Sequence, residues 1–314
     1  MMNVSILIPT YKRPEMVIEA IKSCFDQTYP PFEIIVGDDS PDELTSEAIG
    51  KIIKTSPIQI KYIHNKPSLK QTENTNMLFS KAHGDKIMLL HDDDLILPEA
   101  LESLVQVFET DPTIDIAFGK QYIITAEGEV SIDRSQFFNE SFFRTEKYSG
   151  SILTSLEASL GQQFPNNGYL MDKKVVKEIK FRNYGFGENL GNGCEYDFGL
   201  QIGIAGYKMF FLNKYLAKYR VAPNSMSSSK TGDSGYQSFR ILKNLSLDTS
   251  LAKEIRSLRL YERAPIAITQ AVNIGKRREA FQIFTGKWYR RRILTLKGIK
   301  RALYILFAPS YKKT

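Results

Sequence analysis

Apolar and polar residues alternate in a regular way over the first 120 residues of the chain. Short apolar runs bounded by turn residues predict buried strands at residues 3–9, 33–37, 59–63, 86–90 and 114–119. Between them, apolar side chains at helical spacing predict helices at residues 14–25, 43–54, 70–82 and 98–109. Strands that alternate with amphipathic helices indicate an α/β fold, with a mostly parallel sheet flanked by helices.

Polar clusters follow three of the predicted strands. They are Thr10 to Arg13, Asp38 with Asp39, and Asp92 to Asp94. Open parallel sheets bind ligands beyond the carboxyl ends of their strands, so we expect the three clusters to meet at one site. Each cluster alone is also compatible with turn chemistry, because Asp and Thr are common loop residues.

The aspartate run Asp92 to Asp94 predicts a cation site. Adjacent carboxylates repel one another strongly unless a positive charge lies among them. Oxygen ligands suit Mg²⁺ or Mn²⁺, and these ions usually complete their coordination with water and substrate phosphates. The run therefore favours a diphosphate ligand, and the alternative is an acidic loop that caps the following helix.

No glycine-rich phosphate loop competes for such a ligand. The segment 185–193 has Leu190 where a dinucleotide-binding fingerprint needs its third glycine, and it lacks the lysine of a P-loop. This argues against a nicotinamide-dependent dehydrogenase and against a P-loop nucleotidase.

The composition is that of a globular protein of 314 residues, with 42% hydrophobic and 25% charged residues. Its two cysteines, Cys24 and Cys194, cannot form a disulfide framework, which favours the reducing cytoplasm. No secretory signal is visible, and no apolar run reaches the roughly 18 residues of a membrane span. We therefore expect a cytoplasmic protein that is soluble or bound to a surface.

Positive charge is concentrated in the tail, residues 276–314. Twelve Lys and Arg oppose one Glu there, so the tail carries +11 and the first 275 residues carry −4. Apolar residues at helical spacing and the pair Trp288 and Tyr289 accompany the charge, which favours an amphipathic helix on an anionic membrane. The alternatives are a helix packed on the body of the protein and, least favoured without a recognised motif, a nucleic-acid contact.

Four segments of the chain resemble signatures of inverting family 2 glycosyltransferases with the GT-A fold. The segments, which follow the family's order and spacing, are residues 4–15, 32–42, 84–101 and 194–220. The resemblance covers about residues 3–221. It implies a nucleotide-diphospho-sugar transferase fold in residues 1–222, with a nucleotide-sugar half to about residue 120 and an acceptor half after it.

Site residues follow from this resemblance position by position. The residues expected to bind the nucleotide, whose base is typically uracil, are Pro9, Thr10, Tyr11, Arg13, Asp38, Asp39, Asn76 and Asp92. Asp93 stands at the position of the family's metal ligand with Asp94 beside it, and Mn²⁺ or Mg²⁺ is the expected cofactor. His91 is interpreted as a residue of the pocket wall. Glu195 falls on the position of the catalytic base, with Asp197 as the alternative.

The implied activity is a metal-dependent, inverting transfer of a single sugar from a nucleotide sugar to a hydroxyl group. Such a displacement needs one carboxylate as base and a cation that neutralises the leaving diphosphate. The expected acceptor is a glycan or a polyprenyl-diphosphate-linked glycan of cell-surface polysaccharide synthesis, reached at the cytoplasmic face of the membrane. No QxxRW motif for processive synthesis is present. A sugar nucleotidyltransferase and a non-catalytic glycan- or nucleotide-binding module are the alternatives.

Residues 223–314 form the predicted C-terminal extension. Its first part, residues 223–235, contains five Ser and two Gly and predicts a mobile loop. The rest of the extension is expected to be helical and, from residue 276, basic.

Overall fold

The computed structural model describes residues 2–185, 188–221 and 233–308, without the side chains of residues 188, 189 and 192. The strands within these residues are β1 (Val4–Thr10), β2 (Glu33–Asp38), β3 (Ile60–His64), β4 (Lys86–Leu89), β5 (Leu95–Ile96), β6 (Ile116–Ile124), β7 (Val130–Ser131), β8 (Tyr169–Asp172), β9 (Tyr184–Gly185), β10 (Glu188–Asn189) and β11 (Met209–Arg220). The α-helices are α1 (Pro14–Phe25), α2 (Leu44–Ile53), α3 (Lys70–Lys81), α4 (Ala100–Thr110), α5 (Ile132–Ser141), α6 (Ser155–Leu160), α7 (Lys173–Glu178), α8 (Cys194–Ala205), α9 (Ser234–Asn244), α10 (Ser250–Asn273), α11 (Arg277–Thr285) and α12 (Leu296–Phe307).

One large sheet carries the strand order β3-β2-β1-β4-β8-β6-β11-β5. The first four strands of this order are parallel. Beyond them, β8 runs antiparallel to β4 and β6, β11 runs parallel to β6, and β5 and β7 pair antiparallel at the margins. The order of the strands reverses at β1, which lies between β2 and β4, and such a switch point is where ligands of open α/β sheets bind.

Burial explains why the parallel half of the sheet forms. Strand β2 is buried along its whole length, and β1 is buried except at Pro9, as expected for strands covered on both faces. Helix α1 begins with Pro14, which the first helical turn tolerates, and it turns Val17, Ile21 and Cys24 toward the core. Both cysteines are buried as reduced thiols.

Contacts divide the chain into two compact units. The first comprises Met1–Phe181 and Phe198–Val221, and it contains the large sheet. The second comprises Arg182–Asp197 and Ala222–Thr314. Within the second unit, the hairpin β9–β10 precedes the start of α8, and α10 packs against α9, α11 and α12.

The C-terminal helices differ in part from the sequence expectation. The aromatic pair predicted to flank a membrane helix lies inward: Tyr289 is buried against Phe284, and Trp288 packs edge-on against Phe239. Helix α12 buries Gly298 and Ile305. Its other large apolar side chains are largely exposed: Leu296, Ile299, Leu303, Leu306 and Phe307.

The predicted elements of the first 120 residues occur within two residues of their expected bounds, except that β6 continues to Ile124. Most of the predicted mobile loop, residues 223–232, lies outside the described residues. None of the helices in the described part of the chain combines the length and the apolarity needed to cross a bilayer.

Candidate active site

The ends of β1, β2 and β4 bring the predicted polar clusters together. Thr10 pairs in register with Asp38, and the backbone N–H of Asp39 donates to the carbonyl oxygen of Thr10 at 3.0 Å. The Thr10 hydroxyl donates to Asp92 Oδ2 at 2.7 Å. The site therefore forms because three parallel strands end at the same edge of the sheet.

The buried Asp92 and the partly exposed Arg13 lie next to each other at this edge. Arg13 Nη1 donates to Asp92 Oδ1 at 2.9 Å and to Asp93 Oδ2 at 2.8 Å. Burial raises the pKa of the Asp92 carboxyl even though the Arg13 guanidinium lies alongside it. Because Thr10 and Arg13 engage both Asp92 oxygens, this carboxylate positions its neighbours and offers little free surface.

Asp94 is fully buried and held from two sides. Its Oδ1 accepts the backbone N–H of Arg220 at 2.7 Å, and its Oδ2 accepts Asn167 Nδ2 at 2.8 Å. The Arg220 side chain also donates to the carbonyl oxygen of Asp93 at 2.9 Å. Burial and the negative charge of Asp93 raise the pKa of Asp94 to about 7. A cation beside Asp93 and Asp94 would favour their charged forms.

His91 lies close to the acidic residues. From the sequence it is interpreted only as a residue of the pocket wall. Ligand atoms of His91, Asp93 and Asp94 all lie within 4.8 Å of one another. Its spacing of two residues before Asp93 was the available signal. The side chains of His91 and Asp93 are 20% and 22% exposed, so a ligand in solution can reach them. Two carboxylates and an imidazole fit a divalent cation.

Asp38 and Asp39 lie at the end of β2 and are held by neighbouring strands and loops. Asp38 accepts hydrogen bonds from the Ser40 backbone N–H at 2.8 Å and from the Tyr62 hydroxyl at 2.7 Å. Asp39 Oδ1 accepts Asn65 Nδ2 at 2.8 Å and the backbone N–H of Leu69 at 3.1 Å. Both carboxylates are oriented by these bonds.

Helix α3 reaches this network because β2 contains a glycine. Asn74 Nδ2 donates to the carbonyl oxygen of Gly37 at 2.8 Å, and Asn74 Oδ1 accepts Asn65 Nδ2 at 3.0 Å. A Cβ at position 37 would collide with Asn74 Oδ1. The close approach therefore requires Gly37, and it connects α3 through Asn65 to Asp39.

The loop after β1 presents Tyr11 to solvent, with 52% of this residue exposed. Lys12 adopts a positive φ of 56°, which is uncommon for a residue other than glycine. Its backbone N–H donates to Ser40 Oγ at 2.8 Å, which fixes the loop beside the end of β2. Pro9 lies half-buried near the end of β1.

Asn76 forms its side-chain hydrogen bonds with a different part of the chain. Its Nδ2 donates to the Phe181 carbonyl oxygen at 2.8 Å, and its Oδ1 accepts the Phe181 backbone N–H at 3.0 Å. Both ends of the amide therefore fasten α3 to the segment after α7, and its predicted role in nucleotide binding remains a prediction.

Glu195 and Asp197 lie in the first turn of α8 and belong to the second unit. Asp197 is fully buried, and both of its oxygens accept hydrogen bonds from Arg182, each at 2.8 Å. Glu195 is partly exposed. The structure therefore gives the two carboxylates different environments, one in a bidentate ion pair and the other partly open to solvent.

Similarity to known proteins is consistent with this arrangement. The model of Glycosyl transferase family 2 matches residues 5–160. An uncharacterized glycosyltransferase of Methanocaldococcus jannaschii is 28% identical over 70% of this chain and 71% of its own length. The GalNAc(5)-diNAcBac-PP-undecaprenol beta-1,3-glucosyltransferase of Campylobacter jejuni is 29% identical over 58% of this chain and 62% of its own length.

Solved structures share the fold. S. aureus TarS 1–349 superposes with a TM-score of 0.65 at 17% identity, covering 97% of this chain and 88% of that one. The mannosyltransferase PcManGT of Pyrobaculum calidifontis, solved with GDP-Man and Mn²⁺, gives 0.60 at 15% identity, with 98% and 87% coverage. These similarities confirm the predicted GT-A fold with a helical C-terminal region. Together, the fold and the matches define this protein as a glycosyltransferase. More particularly, the chain belongs to glycosyltransferase family 2.

Proposed function

We propose that this protein transfers a single sugar from a UDP-sugar to a hydroxyl group of a glycan acceptor, with inversion at the anomeric carbon and with the aid of a divalent cation. The observation that carries the proposal is the meeting of Thr10, Arg13 and the three aspartates at the ends of β1 and β4. TarS, which is similar in fold, has been solved in complex with UDP and with UDP-GlcNAc, and this favours the same donor class here.

The cation would be held by Asp93, Asp94 and His91. A divalent ion at this point would neutralise the charge that develops on the departing nucleoside diphosphate. An imidazole nitrogen beside two carboxylates suits Mn²⁺ better than Mg²⁺, which prefers oxygen ligands. Arg13 supplies a further positive charge at the same edge, through its contacts to Asp92 and Asp93.

Glu195 is the proposed base that takes the proton of the acceptor hydroxyl. A general base must reach the substrate, and Glu195 is partly exposed whereas Asp197 is buried in a bidentate pair with Arg182. Asp197 is then a positioning residue, which holds Arg182 and the first turn of α8. A direct displacement needs no second carboxylate as acid, unlike glycoside hydrolysis.

The proposed acceptor is a polyprenyl-diphosphate-linked or related surface glycan, met on the cytoplasmic face of the membrane. The Campylobacter relative is named for an undecaprenol-linked substrate, which supports this class. Helix α12 supports membrane contact. Its exposed apolar residues Ile299, Leu303 and Leu306 lie on the same helix as the exposed Lys297 and Lys300.

Transfer from radiolabelled UDP-sugars to lipid extract, with Mn²⁺ or with chelator, tests the proposal. We expect Asp93→Asn to reduce turnover at least about 100-fold, because the site loses a charged ligand, while the thermal midpoint stays nearly unchanged. Asp248→Asn, which changes an exposed aspartate outside the cluster, is the matched control. Full activity of the Asp93 variant in chelator would remove the metal from the proposal.

The same assay distinguishes the alternatives. Inversion is read from the anomeric configuration of the product by NMR, and single transfer from the product's mass. Release of pyrophosphate from UTP and a sugar phosphate would instead identify a nucleotidyltransferase. Donor binding without turnover would identify a binding module.

A further inference from the structure

A small aromatic pocket opens beside the acidic cluster, within the first unit. Its volume is about 130 Å³, close to that of a cavity known to accept one benzene ring. Four rings contribute to its lining, from Phe138, Phe142, Phe164 and Tyr219. Phe138 and Tyr219 are stacked with their planes 11° apart. The pocket is thus lined largely by aromatic rings, and its volume is close to what a single six-membered ring needs.

Polar groups complete the lining and are held rigidly. Arg144 is buried and donates to Gln121 Oε1 at 2.9 Å and to the Gln163 carbonyl oxygen at 2.9 Å. Its guanidinium also lies 5.4 Å from the Phe138 ring centre and 5.7 Å from that of Phe142. These contacts fix the aromatic wall before any ligand arrives.

Asn167 connects the pocket to the cation cluster. It is 1% exposed, and its Nδ2 donates to Asp94 Oδ2 at 2.8 Å and lies 3.2 Å from His91 Nδ1. The carboxylate determines which end of the amide faces the cluster, because an oxygen there would be repelled. The other end, Oδ1, is buried and accepts no hydrogen bond. An unsatisfied buried acceptor is unfavourable, and a donor on a ligand would satisfy it.

We propose that this pocket binds a neutral pyranose ring, with one C–H face against Phe138 and Tyr219 and one hydroxyl or amide N–H directed to Asn167 Oδ1. A pyranose combines an apolar C–H face, which suits the negative face of an aromatic ring, with hydroxyl donors at its edge. Few other ligands of this size offer both. The ring belongs either to the donor or to the acceptor, and the assignment rests on the proposed glycosyl transfer.

The matched substitutions are Phe138→Leu and Phe137→Leu. Phe138 lines the pocket, whereas its neighbour Phe137 is 73% exposed on the same helix α5 and does not line it. In the donor arm, calorimetry compares UDP with UDP-glucose and UDP-GlcNAc in the presence of Mn²⁺. In the acceptor arm, saturation-transfer NMR measures methyl β-pyranosides with UDP bound. Both arms measure binding, so they remain informative if turnover is absent and the proposed function fails.

We expect Phe138→Leu to weaken pyranose binding about 3- to 10-fold in one arm, as loss of one aromatic contact would, while UDP binding and the Phe137 variant match the wild type. Loss confined to the UDP-sugars assigns the ring to the donor, and loss confined to the methyl glycosides assigns it to the acceptor. Equal affinities of the two variants in both arms overturn the proposal. The proposal is also overturned if the affinity for UDP itself falls as much as the affinity for the UDP-sugars, because the pocket would then be a nucleotide site. Phe142→Leu repeats the comparison from another part of the wall.

Discussion

Arg220 shows how much of the candidate site depends on one side chain at the end of β11. Its backbone N–H holds Asp94, and its guanidinium donates to the carbonyl oxygens of Asp93 and Ala126 and, at 2.6 Å, to Glu19 Oε2. The side chain is 3% exposed. A buried guanidinium with this many acceptors fixes the backbone that carries the acidic cluster, so the cluster is pre-organised.

Glu195 and Asp197 are expected to respond differently to neutral isosteres. Glu195→Gln should lower kcat by about 10²–10⁴-fold, the usual contribution of general base catalysis, with little change in the thermal midpoint. Asp197→Asn should lower the free energy of unfolding by about 1–3 kcal/mol, because Arg182 loses both charged hydrogen bonds. Steady-state kinetics and denaturant titration of both variants check this.

Each variant serves as the control for the other, since both remove one negative charge from the same helical turn. Loss of turnover at unchanged stability in the Asp197 variant, with an active Glu195 variant, would exchange the two roles.

At the scale of elements, the join between β1, β2 and the turn before β4 is built around Glu33. Its Oε1 accepts the Ser5 hydroxyl at 2.6 Å and the backbone N–H of His83 at 2.7 Å. Burial alone raises the pKa of Glu33, but the hydrogen bonds from Ser5 and His83 outweigh burial and leave the pKa below its usual value. The ionised carboxylate therefore belongs to the folded state.

A lowered carboxyl pKa contributes stability above the unfolded pKa of about 4.3 and loses it as pH falls through the folded pKa. We expect Glu33→Gln to cost about 1 kcal/mol at pH 7, with the difference from wild type closing below about pH 4. Urea titrations across this range check the sign, with Glu109→Gln at an exposed position as the control. A difference that grows toward acid pH would contradict the assignment.

The parallel half of the sheet could be predicted from the sequence because its strands are continuous apolar runs between turn signals. Strand β11 could not, because its burial follows no regular period: residues 212–215 are all exposed or partly exposed, and its pairing with β6 shifts register there. The contact of Thr10 with Asp92 follows from strand order. The bonds from Asn167 and Arg220 to Asp94 do not, because both partners lie beyond residue 120, outside the strands that the sequence predicts.

At the scale of the whole molecule, the structure shows which of the basic residues in the segment 276–314 are exposed. The basic residues that are exposed in the described part of this segment are Arg278, Lys287, Arg290, Arg291, Lys297 and Lys300. Its single acidic residue, Glu279, is half-buried. The exposed apolar side chains of α12 lie among these charges, which is the pattern of an interfacial helix.

Single substitutions test membrane contact better than truncation, because removing α11 and α12 would delete the buried Phe284 and Ile305 and uncover what they pack against. We expect Leu303→Glu to lower the partition coefficient on phosphatidylglycerol vesicles at least about tenfold, since an apolar side chain that enters the membrane is replaced by a negative charge. Vesicle flotation measures this. Leu44→Glu, which changes a comparably exposed leucine on α2, should bind like the wild type.

Equal flotation of the Leu303 and Leu44 variants would leave α12 as a packing helix only. Binding that is indifferent to phosphatidylglycerol content would remove the basic residues from the interaction.

Asn167 contacts the acidic cluster through its amide nitrogen and also lines the aromatic pocket. Binding at the two places is therefore expected to be coupled. If a ligand in the pocket changes the affinity of the cluster for an ion by some factor, the ion must change the affinity of the pocket for that ligand by the same factor. The order in which an ion and a sugar bind would then affect the rate of assembly but not the total binding free energy of the complex.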